Sequence, residues 1–385
     1  MKEAFSLTSK LPQTGTTIFT VMSAMAREFG AINLSQGFPD FACDPALTEA
    51  VSRAMASGHN QYAPMPGLPA LREVVAQRVR AGYGATYDPD TEVTITSGAT
   101  EALFCAIHTV VQPGDEVILF EPAYDAYAPA IRLAGGIPVP LPLRFPGYAY
   151  DWDRVQAHLS PRTRAIVINS PHNPTGTLLQ DTDLDVLAEL CDDRSVWLIG
   201  DEVYEHIVFD GQAHQSLCRR PELAARSFVV SSFGKTLHAT GWKVGYCLAP
   251  AALMVEFRKI HQFVTFSTAT PLQHAIAIYL REHWDKIMGL SAFYQAKRDL
   301  FLDLMAGSRF VPLPSQGTYF QLMRYESISD RSEADFARWL TQEVGVACIP
   351  VSAFYEGGDN HGVVRFCFAK EDETLRAAAH RLRGL

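Results

Sequence analysis

The feature that most constrains the fold is a regular alternation of short β-branched runs with helical stretches through the middle of the chain. Strand-like apolar runs recur, each separated from the next by a helical or turn segment, at 93–96, 117–120, 137–141, 165–169, 196–199, 228–231 and 244–248. Strands that alternate with helices form right-handed crossovers and a mostly parallel sheet. The sequence therefore predicts an α/β fold with a mostly parallel central sheet flanked by helices.

The alternation also indicates how the chain divides into domains. The chain has 385 residues, which is two or three times the usual length of one domain. The strand–helix pattern runs from about residue 45 to residue 283 and predicts a large domain there. A single long helix is predicted over 284–305, followed by strand-like runs near 317–325 and 363–368. Residues 1–44 and 284–385 are predicted to form an N-terminal arm and a smaller α/β domain.

Charge and cysteine usage exclude several classes of protein. The net charge is −9 and no basic block occurs, which argues against a nucleic-acid partner. The chain lacks a run of 18 apolar residues, and its first residues lack the apolar stretch of a signal peptide, so we expect a cytoplasmic protein without a membrane span. The seven cysteines include no CxxC pair and no HExxH occurs, so no metal site is predicted.

Common nucleotide-binding motifs do not fit this chain. The segment Gly234-Lys235-Thr236 resembles the end of a phosphate-binding P-loop, but the glycine that this motif requires five residues earlier is Val229. No GxGxxG motif follows a predicted strand either. Nucleotide chemistry of the usual kinds is therefore excluded.

Polar residues stand directly after several of the predicted strands. Because the carboxyl ends of parallel strands meet at one edge of a sheet, where such folds bind ligands, these residues are expected to form one site. The residues are Asn173, Asp201, Tyr204, Ser232 and Lys235, together with Lys243 and the segment 97–101 that leads from a strand into a helix.

With these motifs the chain resembles a known enzyme family. The segments are Asn33-Leu-Ser-Gln-Gly-Phe-Pro-Asp-Phe41, Asn169-Ser-Pro-His-Asn-Pro-Thr-Gly176, Ser231-Ser-Phe-Gly-Lys-Thr236 and Val364-Arg-Phe-Cys-Phe-Ala-Lys370. The chain resembles the fold-type I pyridoxal-phosphate enzymes of the class I/II aminotransferase family, in the branch of the kynurenine and methionine aminotransferases. The resemblance runs almost from end to end, and the spacings between the matched polar residues fit as well.

The resemblance implies a role for each polar residue around the cofactor ring. Lys235, one of only eight lysines, would bond to the cofactor aldehyde and later move the proton between the substrate Cα and C4′. Asp201 would pair with the pyridine nitrogen and keep it protonated. Asn173 and Tyr204 would donate hydrogen bonds to the 3′ oxygen, and Tyr124 would stack on the ring.

The cofactor phosphate would be held at the start of a helix. Ala99 and Thr100 open a helix after a strand, where free backbone N–H groups attract an anion. Ser232 would add a hydroxyl group. Lys243 stands where the wider family usually has arginine, and it supplies a point charge. Tyr62 would reach the phosphate of the neighbouring subunit, which implies a homodimer with shared active sites.

The resemblance also implies where an amino-acid substrate would bind. Arg365, an odd charge in an apolar run, would grip the α-carboxylate with its planar fork, helped by Asn173 and a backbone contact at Gly37. Candidates for the side-chain pocket are Ile18, Phe19, Tyr62, Tyr124, Tyr127 and, across the subunit interface, Phe266. No second arginine is positioned for a dicarboxylate side chain, which favours methionine, aromatic amino acids or kynurenine as donor.

We therefore expect a ping-pong aminotransferase that moves the amino group of such a donor to a 2-oxo acid. One alternative is a pyridoxal-phosphate-dependent carbon–sulfur β-lyase, which uses the same lysine, aspartate and arginine but eliminates from Cβ. Another is a non-enzymatic regulator built on an aminotransferase-like body. Such regulators add a DNA-binding domain, and the roughly 40 residues before the large domain are too few and not basic enough for one.

Overall fold

A seven-stranded sheet forms the centre of the protein, which is described by a computed structural model over residues 7–12, 14–192 and 194–385. Its strands lie side by side in the order β2-β8-β7-β6-β5-β3-β4, and β8 alone runs antiparallel to its neighbours. The predicted mostly parallel sheet is confirmed. The first eight strands of the chain are β1 (Ile32–Asn33), β2 (Val93–Thr96), β3 (Glu116–Glu121), β4 (Ile137–Pro142), β5 (Thr163–Asn169), β6 (Trp197–Asp201), β7 (Ser227–Ser232) and β8 (Gly245–Leu248).

Helices cover both faces of this sheet because its strands are apolar on both sides. Successive residues of a strand point to opposite faces. Val117, Val167 and Val230 accordingly pack in one buried cluster, whereas Ile118 and Ile168 pack in the other. The helices up to residue 282 are α1 (Ile18–Glu28), α2 (Pro45–Ala56), α3 (Pro69–Tyr83), α4 (Gly98–Val110), α5 (Tyr127–Leu133), α6 (Trp152–His158), α7 (Asp181–Cys191), α8 (Pro221–Ala224), α9 (Phe233–Thr236), α10 (Ala251–Val264) and α11 (Thr270–Glu282).

The rest of the chain builds a second, antiparallel sheet in the order β12-β13-β10-β9, while the short β1 pairs with β11 in parallel. A π-helix over Leu340–Val344 follows α14. These elements are α12 (Trp284–Met288), α13 (Leu290–Met305), β9 (Val311–Pro312), β10 (Phe320–Arg324), α14 (Glu333–Trp339), β11 (Val346–Ala347), β12 (Ile349–Pro350), β13 (Val363–Cys367) and α15 (Asp372–Leu382).

One predicted helix differs from the structure. The single helix predicted over 284–305 is divided at Gly289, a residue of low helix propensity, into α12 and α13. The division into domains remains a prediction. It is supported by the sheets, because all seven central strands lie within 45–283 and the antiparallel sheet lies within 284–385. In the described part of the chain, no helix is both long and apolar enough to cross a membrane.

Candidate active site

The carboxyl ends of β5, β6 and β7 open into one cavity of about 250 Å³. This is the position at which a parallel sheet binds ligands, because the loops that leave neighbouring strands diverge there. The structure brings most of the predicted site residues together around this cavity: Gly37, Ala99, Thr100, Tyr124, Asn173, Asp201, Tyr204, Ser232, Lys235 and Lys243 line it.

Lys235 lies in the short helix α9, directly after β7. Its Nζ donates to the hydroxyl oxygen of Tyr319 at 2.9 Å and to the carbonyl oxygen of Gly37 at 3.4 Å. The amine also lies 5.5 Å from the ring centres of Tyr204 and Tyr319. Removal from water lowers the pKa of Lys235 to about 8. A usable fraction of the amine is therefore neutral near neutral pH, as a nucleophile or base requires.

Asp201 ends β6 and is almost fully buried, with 4% of its surface exposed. Its Oδ2 accepts a hydrogen bond from the Tyr127 hydroxyl at 2.6 Å. Burial raises the pKa of Asp201 to about 6, since the charged form loses its hydration. Among the described residues Asp201 forms no ion pair. The carboxylate is therefore placed to receive a cation from a ligand.

Arg365 lies on β13 and is completely buried. Its Nη1 donates to Oδ1 of Asn173 at 2.7 Å, and its Nη2 donates to the carbonyl of Ser35 at 3.0 Å. The guanidinium carbon lies 3.8 Å from the ring centre of Phe320. Burial lowers the pKa of Arg365 to about 10, so the group stays cationic at neutral pH. Oδ1 of Asn173 accepts from Arg365, and Nδ2 of Asn173 remains available to donate a hydrogen bond to a ligand.

Another part of the cavity lining, at the start of α4, is suited to attract an anion. Helix α4 begins at Gly98, so the backbone N–H groups of Ala99 and Thr100 belong to its first turn. The turn lies close to β8, because a Cβ atom added at Gly245 would meet the Ala99 nitrogen at 3.0 Å. Lys243 lies against Gly98 and also lines the cavity.

Tyr127 occupies a different place from the one its predicted role requires. It is 3% exposed, it is absent from the residues that line the cavity, and its hydroxyl donates to Asp201. The ring meets that of Tyr124 edge-on at 5.6 Å. This position favours a role in orienting Asp201 over contact with a substrate side chain.

Of the other side-chain pocket candidates, Tyr124 lines the cavity, and the remaining four lie outside the cavity of this chain. Phe19 lies 5.3 Å from the Arg365 guanidinium, and its neighbour Ile18 packs against the core as part of α1. Tyr62 is 83% exposed, and its ring meets that of Phe266 edge-on at 5.2 Å. Neither Tyr62 nor Phe266 lines the cavity within one chain, and their roles across a subunit interface stay a prediction.

Among the residues that contact the site, Asn169 and Tyr319 were not predicted. Asn169 donates from Nδ2 to the Asp201 carbonyl at 2.8 Å and accepts from the Asn173 backbone at 2.8 Å, so it ties β5 to β6. Its position as the last residue of a strand was a usable signal. Tyr319 reaches Lys235 from the position just before β10 of the antiparallel sheet. The one signal for Tyr319 in the sequence was its position after Gly317-Thr318 and directly before a strand.

Three side chains of the kinds that bind metal ions lie close together outside the cavity lining. Glu101, Cys105 and His261 lie close to one another, although no metal site was predicted. His261 Nδ1 lies 2.8 Å from Oε1 of Glu101, and the Cys105 thiol donates to the same oxygen. The other ring nitrogen of His261 bonds the Met65 carbonyl at 3.1 Å, so both nitrogens are already engaged with protein atoms.

Comparison with known proteins agrees with this arrangement. The chain is 50% identical over 377 residues to methionine aminotransferase of Escherichia coli (strain K12), with 98% of each chain covered. It is 40% identical over 389 residues to a probable N-succinyldiaminopimelate aminotransferase of Mycobacterium tuberculosis, again with 98% of each covered. A solved Escherichia coli structure, for which a methionine aminotransferase function was identified, matches with a TM-score of 0.97 at 49% identity, covering 99% of this chain and 100% of that one. The sequence profile of the family described as Aminotransferase class I and II matches residues 30–382. On these grounds the chain is a transaminase that belongs to the class I and II aminotransferase family.

Proposed function

We propose that this aminotransferase moves the amino group of an apolar, sulfur-containing or aromatic amino acid, such as methionine, phenylalanine or a kynurenine-like donor, to a 2-oxo acid by a ping-pong cycle. The distribution of charge carries this proposal. Of the described residues that line the cavity, Lys235 and Lys243 are the cationic ones, and both have other roles. An aspartate side chain would therefore be buried without a cationic partner, which is costly. The 50% identity to a methionine aminotransferase supports the same donor class.

Aminotransferases of this family generally depend on pyridoxal phosphate, and the residues around the cavity fit that cofactor. Asp201 is a buried carboxylate without a cationic side-chain partner among the described residues, so it suits a protonated ring nitrogen. The start of α4 and Lys243 suit a phosphate dianion. We therefore assign the phosphate to Ala99, Thr100, Ser232 and Lys243, the ring face to Tyr124, the ring oxygen to Asn173 and Tyr204, and the covalent bond to Lys235.

The proposed mechanism depends on the amine of Lys235. When bound, pyridoxal phosphate supplies a sink for the electron pair that remains when the substrate Cα loses its proton. Lys235 in its neutral form would accept the proton from the substrate Cα and later deliver it to C4′. The lowered pKa of Lys235 makes this exchange possible near neutral pH, since the amine is neutral in an appreciable fraction of molecules.

The substrate carboxylate would be held at Arg365. The guanidinium is buried, and its Nε has no hydrogen-bond partner among the described residues. The Asn173 amide and the Ser35 carbonyl fix the plane of the group, so a carboxylate meets an already oriented fork. Orientation of the carboxylate then fixes the position of Cα relative to Lys235, which is how binding energy assists a proton transfer.

We also propose that the enzyme is a homodimer whose subunits share their active sites. Apolar side chains stand exposed at the end of α10 and just after it, where Phe266 meets Tyr62: Phe263 is 86% exposed, Val264 is 50% exposed and Phe266 is 46% exposed. A cluster of this kind is typical of a subunit interface. A second copy that covered the cluster would bring Tyr62 and Phe266 to the cavity of its partner.

A reducing compartment, such as the cytoplasm, suits the cysteines of this protein. Cys105, Cys191, Cys218, Cys247, Cys348 and Cys367 are buried thiols, Cys43 is partly exposed, and none of them forms a disulfide in the described structure. Free buried thiols persist where glutathione and thioredoxin keep them reduced. We therefore propose a cytoplasmic location.

A panel of amino donors tests the proposed substrate class. Steady-state kcat/KM is measured for methionine, phenylalanine, kynurenine, aspartate and N-succinyldiaminopimelate with a common 2-oxo acid. We expect methionine, phenylalanine or kynurenine to exceed aspartate by at least about tenfold, the scale of one or two kcal/mol of pocket discrimination. Lys235→Ala serves as the inactive control. Aspartate as the best donor would contradict the proposal, and release of ammonia and pyruvate without consumption of the 2-oxo acid would indicate a β-lyase.

A further inference from the structure

The hydroxyl group of Tyr319 connects the two parts of the site that handle the substrate. It donates to the Gly37 carbonyl at 2.6 Å and accepts from Nζ of Lys235 at 2.9 Å. Gly37 belongs to the segment that was matched to the substrate carboxylate, and Lys235 is the amine. One hydroxyl therefore links a carboxylate-binding segment to the group that moves the proton.

The directions of these hydrogen bonds follow from the chemistry of the groups. A carbonyl oxygen only accepts, so the single proton of the Tyr319 hydroxyl is used at Gly37. The oxygen of Tyr319 then has lone pairs left for Lys235, whose amine donates whether it is charged or neutral. Burial raises the pKa of Tyr319 well above its ordinary value, so the hydroxyl keeps its proton throughout the working pH range.

The backbone around Tyr319 is held at both ends. The Thr318 nitrogen donates to the Ile207 carbonyl at 2.9 Å, and the Tyr319 carbonyl accepts from the Phe368 nitrogen at 3.0 Å. Thr318 has φ of +67°, a conformation that a β-branched residue rarely adopts. Strain of this kind persists where the surrounding structure enforces it, and it is most common at functional sites.

A neighbouring tyrosine shows that burial alone does not explain the contact. Tyr294 is also completely buried and its ring centre lies 5.6 Å from that of Tyr319. The hydroxyl of Tyr294 has no hydrogen-bond partner among the described residues. Of the two hydroxyl groups, the one on Tyr319 contacts the reacting nitrogen.

We propose that Tyr319 is a positioning residue, whose hydroxyl, fixed by Gly37, holds the free amine of Lys235 in the orientation needed for proton transfer at the substrate Cα. This assignment rests on the proposed role of Lys235. Tyr319 exchanges no proton itself; it restricts the amine to one position. A residue of this kind affects turnover more than substrate binding, because correct orientation is worth most in the transition state.

Two measurements on the full-length Tyr319→Phe protein test this assignment, with Tyr294→Phe as the matched control. The first is the pH dependence of covalent capture of pyridoxal phosphate at Lys235 by cofactor-free protein, trapped with borohydride and quantified on the Lys235 peptide. We expect a midpoint near the Lys235 pKa of about 8 in the wild type. Loss of the hydroxyl acceptor disfavours the ammonium form, so the midpoint of Tyr319→Phe should fall by about half a unit.

The second measurement is steady-state transamination by the reconstituted enzymes. Tyr319→Phe should lower kcat by about tenfold and leave KM for the amino acid within about twofold, whereas Tyr294→Phe should change neither quantity. A lower capture midpoint without a lower kcat, or a lower kcat without a lower capture midpoint, overturns the assignment. A Tyr319→Phe protein that fails to fold while Tyr294→Phe folds also overturns it, because the hydroxyl is then structural. Absence of capture at Lys235 in the wild type would instead contradict the proposed function itself.

Discussion

At the scale of single residues, burial moves the two central ionisable groups in opposite directions. The pKa of Asp201 rises to about 6 and that of Lys235 falls to about 8, because loss of hydration penalises the charged form of each. Burial favours the neutral form of both groups, and this helps Lys235 but opposes the role of Asp201. Lys235 must be neutral to accept a proton, whereas Asp201 must be ionised to pair with a cationic ring nitrogen. The hydrogen bond from Tyr127 opposes the effect of burial on Asp201.

Tyr127 is therefore expected to control the pH range in which the cofactor binds. Tyr127→Phe removes a donor to the ionised carboxylate, so the pKa of Asp201 should rise further above about 6. Pyridoxal phosphate should then bind about tenfold more weakly near pH 6, on the scale of one lost hydrogen bond to a charged group, and the difference should shrink toward pH 8. The measurement is the dissociation constant of the cofactor from pH 5 to pH 8.

Tyr87→Phe is the control for this variant, because Tyr87 is buried and its hydroxyl has no partner among the described residues. The cofactor's own ionisations affect both variants equally. A difference between their dissociation constants therefore reports the ionisation of Asp201. A Tyr127→Phe curve that overlays the Tyr87→Phe curve at all pH values would show that Tyr127 does not act on the carboxylate.

At the scale of elements, the phosphate end depends on how closely α4 approaches β8. A Cβ atom at Gly245 would lie 2.6 Å from the Ser231 carbonyl oxygen and 3.0 Å from the Ala99 nitrogen. Both contacts are with backbone atoms, so neither can be relieved by a side-chain rotation. The glycine is therefore required for the first turn of α4 to stand beside β7 and β8.

Gly245→Ala should displace the start of α4 and weaken cofactor binding by about tenfold or more, while the donor preference stays the same. The reason is that the anion-binding N–H groups move and the side-chain pocket does not. Gly241→Ala is the matched control, since a Cβ atom at Gly241 meets nothing within 4 Å. Cofactor affinity is measured by equilibrium titration of the cofactor-free proteins. Equal affinities for the two variants would show that the close approach has no part in phosphate binding.

The sequence predicted the parts of the site that depend on strand order, and it missed those that depend on contacts between elements far apart in the chain. Asn173, Asp201 and Lys235 could be placed together because each follows a strand of one parallel sheet. No pattern in the sequence relates Tyr127 to Asp201, 74 positions apart, because that contact depends on how the folded chain places the first residue of α5 at the end of β6. Tyr319 was missed for the same reason, since it reaches Lys235 from the position just before β10 of the antiparallel sheet.

At the scale of the whole molecule, one chain does not complete the proposed site. Tyr62 and Phe266 contact one another through the edge of their rings, and the Ser267 hydroxyl donates to the Ala63 carbonyl at 3.0 Å, so the two loops form one unit. Within that unit Tyr62 is exposed to solvent, and it does not line the cavity of its own chain. In the proposed dimer, Tyr62 would act on the phosphate in the cavity of the other subunit.

Mixed dimers of two impaired variants should therefore recover activity. Lys235→Ala lacks the amine but keeps Tyr62, and Tyr62→Ala lacks the aromatic hydroxyl but keeps Lys235. In a dimer of one subunit of each kind, one of the two sites combines Lys235 from one chain with Tyr62 from the other and is intact. Random pairing makes about half of the dimers mixed, so coexpression in equal amounts should give about a quarter of wild-type activity, above the residual activity of Tyr62→Ala alone. The measurement is kcat per subunit at limiting pyridoxal phosphate, with mass determination in solution to verify dimers. Activity no greater than the mean of the two separate variants would show that Tyr62 serves its own subunit or none.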